Sequence, residues 1–133
     1  MIQIRKALRS IFLFLAALLI FFAAVTNTTV SVPHLREDLM EINTRPTLLG
    51  AVLVGLHLGS FAMFGFGALA LALAVQIWRG AQGQRVLIGI IAAVFLLFGI
   101  AAFIWTGSHH TLGYLLIGLF LAGGAIMPNG ERN

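Results

Sequence analysis

Leu48 to Trp78 reads LLGAVLVGLHLGSFAMFGFGALALALAVQIW, a stretch without one Asp, Glu, Lys or Arg. At 1.5 Å per residue a helix over it would reach about 45 Å, more than the roughly 30 Å of a bilayer's hydrocarbon core. Such a run makes lipid the solvent, and three more runs of the same kind accompany it: Ala7 to Thr26, Val86 to Trp105 and Thr111 to Met127. The rest of the composition agrees, with 60% hydrophobic residues, 9% charged residues and a mean hydropathy of +1.04. Soluble domains carry about 25% charge. Backbone polar groups in lipid must be satisfied within the segment, so unbroken apolar runs predict helices, whereas barrel strands would alternate in polarity. The expected fold is an all-α integral membrane protein, one domain over 1–133, in which four transmembrane helices at about 7–26, 48–78, 86–105 and 111–127 form an antiparallel bundle.

The charges orient it. Arg5, Lys6 and Arg9 precede or open the first run, Arg79 and Arg85 bracket the second connection, and Arg132 follows the last run, so six of the eight basic residues fall on one side. The positive-inside rule makes that side cytoplasmic, with both termini inside and a bacterial inner membrane as the setting. The pI of 11.3 then reflects topology and contact with anionic lipid, not nucleic acid, because no basic stripe with interleaved aromatics exists. Arg5, Lys6 and Arg9 before Ile11–Val25 also resemble the start of a signal peptide, but the apolar run is long for one and its end offers only a weak cleavage pattern. A retained helix is expected.

The outer loop, 27–47, carries Leu35, Leu39 and Ile42 at spacings of four and three with Arg36, Glu37, Asp38 and Glu41 between them. That is one short amphipathic helix, begun by Pro33 and separated from the next span by Pro46, which biases Arg45 away from helical geometry. It is expected to rest on the bilayer or bundle surface, or to act as a lid. Asn27-Thr28-Thr29 matches a glycosylation sequon and, at the membrane surface, carries no further expectation.

Several chemistries are excluded. With no cysteine there is no thiol exchange and no thiolate ligand. No carboxylate lies within a span, which argues against ion-coupled transport. GxGxxG, HExxH and nucleophile-elbow patterns are absent.

What remains is a coincidence of level. His34, His57, His109 and His110 all fall on the outer half or outer surface, with Ser60 one turn below His57 and Tyr114 one turn below His110. His57, Ser60, His110 and Tyr114 are the candidate ligand-binding residues, and His57 with His110 could hold a metal or haem iron, although the sequence implies no cofactor. Gly55 and Gly59, extended by Ala62, form a GxxxG packing face. His57, Ser60, Phe61 and Phe64 lie nearly opposite, since two residues rotate a helix by about 200°. Opposed faces cannot both look into one four-helix bundle, so a homo-oligomer or a larger membrane complex is expected beside the lipid bilayer itself.

The layout resembles the general plan of DoxX-like proteins, and the histidine in the second helix is similar in placement to that of the haem-containing styrene oxide isomerases. Neither resemblance brings a matching motif, and no family follows. The expected function is a hydrophobic-ligand or lipid binder, or an accessory subunit of a membrane complex. The alternative is a membrane enzyme using haem or metal through His57.

Overall fold

Two helical hairpins, one long and one short, build the protein. The structure, a computed structural model, describes residues 2–81 and 84–127. Arg132, and Gln82 and Gly83 of the expected tight turn, lie outside the described residues. In the long hairpin α1 (Ile2–Thr26) passes through a π-helical turn (Asn27–Ser31) into α2 (Val32–Glu41), and α3 (Pro46–Trp78) returns alongside. The short hairpin is α4 (Arg85–Thr106) and α5 (Leu112–Ile126), joined through a 3₁₀ turn at His109–Thr111. Four helices are long and apolar enough to cross a membrane, and no strand occurs among the described residues. The protein is an all-α, multi-pass four-helix bundle.

The first outer loop is mostly helix. The expected amphipathic helix is present as α2, and it continues α1 as one helix from Gln3 to Glu41. Local chemistry explains this. Thr26, Thr28 and Thr29 donate their hydroxyls to the carbonyls of Phe22, Ala24 and Val25, four residues back, at 2.8–2.9 Å. Polar residues that read as loop formers thereby satisfy their hydroxyls within the helix, where such back-bonding tends to bend it. A proline inside a helix lacks one donor and presses on the carbonyl four residues earlier. The wider π turn just before Pro33 absorbs that strain, with the Val32 N–H reaching Asn27 O.

Only Ile42–Arg45 turns the chain. Asn43 takes the left-handed conformation (φ 54°), Thr44 N–H bonds Leu39 O at 3.1 Å and Asn43 N–H bonds Met40 O at 3.1 Å. This is a Schellman closure with asparagine where glycine is usual. Arg45 is extended (ψ 132°) before Pro46, as the proline dictates.

α1 packs on α3 and on α5, and α4 packs on α5. The core joins both hairpins: Leu13 and Ile20 of α1, Leu73 and Ile77 of α3, Ile88, Ile91 and Phe95 of α4, and Ile117 and Leu121 of α5. α3 and α4 meet through long side chains, Phe66 and Phe95 lying edge to face with centroids 5.9 Å apart. Glycines set the closest approaches. A Cβ on Gly118 would stand 2.7 Å from Leu96 Cγ and 3.0 Å from its backbone N, and one on Gly99 would stand 2.9 Å from Leu115 N. Gly124 faces Leu13 and Gly67 faces the Phe21 ring in the same way.

The two ends of the bundle differ. At the basic end Arg9, counted above among the flanking cations, is 3% exposed and donates Nε to Gly124 O at 2.6 Å. The last carbonyls of α5 have no partner within their own helix, and the helix dipole makes them negative, so a cation from α1 caps α5. Ser10 Oγ bonds Ala74 O at 2.9 Å at nearly the same level. From Arg9 to Asn27 the rise is about 27 Å, one hydrocarbon thickness. The long hairpin then projects about 20 Å past the end of the short one.

Candidate functional site at the histidine end

The end opposite Arg9 holds the four histidines, but they do not converge. His57 is exposed on α3, with no hydrogen bond or ion pair among the described residues. Ser60, a turn nearer the membrane centre, is 3% exposed and points elsewhere: it accepts from Asn27 Nδ2 at 2.7 Å and donates to Leu56 O at 3.1 Å. His34 stands 3.9 Å from Glu37, both well exposed. His109 lies edge-on to Phe103 with centroids 6.5 Å apart. No three His, Cys, Asp or Glu side chains among the described residues gather to hold a metal.

His110 and Tyr114, the other two candidates, do share a site. Between the first helix and α5 runs a groove of about 690 Å³. Leu19, Phe22, Ala23, Leu116 and Ile117 form its apolar walls, and Thr26, Asn27, Ser31, His110, Thr111 and Tyr114 bring polar atoms to it. α1 packs on both α3 and α5, so its body stands between this groove and His57. The candidate set thus divides three ways: His57 alone, Ser60 with Asn27, and His110 with Tyr114.

Each wall has a local cause. The Tyr114 ring is held edge to face on Phe98, with centroids 5.0 Å apart, and its hydroxyl has no partner among the described residues while not being buried. That oxygen is therefore free to bond whatever fills the groove. Thr111 is tied back by its hydroxyl to Ser108 O at 2.7 Å, which fixes the 3₁₀ turn that carries His110. On the facing side the π turn supplies Asn27, Val30 and Ser31. π-helical turns concentrate at functional sites because the extra residue re-aims side chains at a cost in hydrogen bonding. No Asp, Glu, Lys or Arg lines the groove.

Asn27 and the π turn escape a reading from sequence. The only trace of Asn27 is an amide at the edge of an apolar run, where a polar group usually finds a partner. Gly55 and Gly59 also meet no other helix among the described residues: nothing lies within 4 Å of a Cβ at either, and Ala62 is exposed beside them. No family model, curated relative or solved structure matches the chain.

Proposed function

We propose that the protein binds an uncharged, single-chain amphiphile from the membrane in the groove between its first helix and α5. The observation that carries this reading is the groove's division of labour: apolar walls toward the membrane centre, and hydrogen-bonding groups, Asn27, His110 and Tyr114, at the end of the bundle. A volume of about 690 Å³ lies within the usual range for small-ligand sites. A lining without Asp, Glu, Lys or Arg disfavours ions, because a desolvated charge without a counter-charge is costly. The basic end is cytoplasmic by the positive-inside rule, in a bacterial inner membrane, so the groove opens in the outer leaflet. Alkaline phosphatase fused at Asn43 should be active and fused at Gln82 inactive; the reverse pattern overturns this orientation.

Assembly with a second copy or a partner subunit is the companion proposal. It is supported by the face of α3 bearing Ala51, Gly55, Leu58, Ala62, Gly65 and Ala72, all exposed, at the four-and-three spacing along which membrane helices pack.

Gly113 supplies the test of the groove. It lines the site, and a Cβ there meets nothing within 4 Å, so a large side chain can fill the mouth without disturbing the bundle. Protein purified in mild detergent should carry a neutral amphiphile detectable by extraction and mass spectrometry, and Gly113→Trp should lose it while unfolding at the same temperature. Equal recovery from both proteins overturns the site.

A further inference from the structure

A second pair of clefts lies at the other end of the molecule, between α1 and α3, and the two are stacked. The one nearer the membrane surface, about 420 Å³, is lined by Gln3, Lys6, Ala7, Trp78, Arg79 and Gly80. The one beneath it, about 270 Å³, is lined by Ser10, Ile11, Phe14, Ala74, Val75 and Trp78. Trp78 belongs to both and marks the boundary, the position that tryptophan favours between hydrocarbon and headgroups. Lys6 and Arg79 come from different helices to the same cleft, both are exposed, and neither side chain has an ion pair or hydrogen bond among the described residues. Below them every exposed wall is apolar, since the Ser10 hydroxyl is already committed to Ala74 O.

Two unpaired cations directly over an apolar slot match the shape of one molecule class. We infer that the α1–α3 clefts bind an anionic phospholipid, its phosphate between Lys6 and Arg79 and one acyl chain in the slot along Ile11, Phe14 and Val75. Arg79 offers a planar fork suited to a phosphate, and Lys6 a mobile point charge that can follow it. This site is independent of the groove near His110. The two lie at opposite ends of the bundle and differ in charge, so one protein would hold a neutral amphiphile at one leaflet and an anionic lipid at the other.

Reconstitution into nanodiscs of phosphatidylcholine with a minor fraction of phosphatidylglycerol, followed by native mass spectrometry of the lipids retained, reads the preference. A charge-assisted hydrogen bond to the lipid phosphate is worth about tenfold or more in binding, so the Lys6→Gln/Arg79→Gln pair should lower retention of phosphatidylglycerol by roughly 100-fold relative to phosphatidylcholine. The Arg5→Gln/Arg85→Gln pair removes the same charge from outside the clefts and should leave most of the preference intact. If both pairs reduce it equally, only a diffuse surface potential is at work and the site is overturned. Val75→Trp should fill the slot and shorten retention with both cations in place; unchanged retention would show that no chain lies there. Inorganic phosphate at millimolar concentration should not displace the lipid, and displacement would reassign the cleft to a free anion.

Discussion

The two hairpins hold their helices together by different means. In the short hairpin no hydrogen bond links α4 to α5 among the described residues; Gly99 and Gly118 instead admit Leu115 and Leu96 to within van der Waals contact of the opposing backbone. The long hairpin uses polar links, Ser10 to Ala74 O near one end and Asn27 to Ser60 near the other, with the Phe21 ring on Gly67 between them. In lipid, where apolar surfaces gain little by meeting each other, these are the two main sources of helix association. Their distribution matters for function. Each hairpin supplies one wall of the groove, and the long one also carries the π turn and the exposed face of α3.

The sharpest way to break this comparison is one substitution made in each hairpin. Gly118→Leu drives a side chain into Leu96 and its backbone N, and overpacking of that kind should cost about 3 kcal/mol, the upper end of the usual range. Folded yield in detergent should collapse. Gly59→Leu places the same side chain where nothing lies within 4 Å, so the unfolding temperature of the monomer should not move and only particle mass can change. If Gly59→Leu destabilises the monomer as much as Gly118→Leu, the helices do not cross as described.

Arg9 tests how the hairpins are joined. Its Nε caps Gly124 O from a buried position on α1, and charge-assisted bonds of this kind contribute about 1.5–3 kcal/mol. Arg9→Met should lower thermal stability accordingly, with α5 becoming accessible to proteolysis at its C-terminal turn before the rest of the chain. A stable Arg9→Met protein with α5 still protected would mean that the shared apolar core alone holds the hairpins.

The membrane spans were legible because length and hydropathy are sufficient in lipid, and the Pro46 and Trp78 boundaries of α3 followed from local chemistry. The amphipathic helix of the first outer segment was legible too, but its continuity with α1 was not. Asn27, Thr28, Thr29 and Pro33 carry loop propensity, yet hydroxyl bonds to the preceding turn and the π turn let the helix run on to Glu41, with α3 available for it to pack on. GxxxG at Gly55 and Gly59 was the most explicit packing signal, but the crossings within the chain use Gly67, Gly99, Gly118 and Gly124. A motif states that close approach is allowed, not which helix accepts it. The same limit applied to the site. Ser60 was singled out beside His57, one turn away on the same stripe, and its actual partner came from another helix.

That Asn27–Ser60 bond gives the next sharpening. It should be worth about 0.6 kcal/mol of coupling, up to roughly 1.7, in a double-mutant cycle with Asn27→Ala and Ser60→Ala, because bonded groups in membrane helices find substitutes when separated. Asn27 also faces the groove, so Asn27→Ala should reduce ligand recovery while Ser60→Ala, buried away from it, reduces it less. Equal losses would place the effect in helix packing and not in ligand contact.

The smallest effect belongs to the residue that stood out most in the sequence. His57 is exposed, bonds nothing among the described residues and is separated from the groove by α1. It sits about 4.5 Å farther along α3 than Ser60, near the level where the short hairpin ends, so its imidazole can reach interfacial water without a protein partner. His57→Leu should therefore leave thermal stability within about 0.5 kcal/mol, and ligand recovery from the groove unchanged. Loss of a chromophore or metal from the purified variant would restore the haem or metal role that the sequence suggested. Loss of an oligomer with the monomer intact would instead place His57 in a contact between copies, on a face of α3 distinct from the one that bears Gly55 and Gly59.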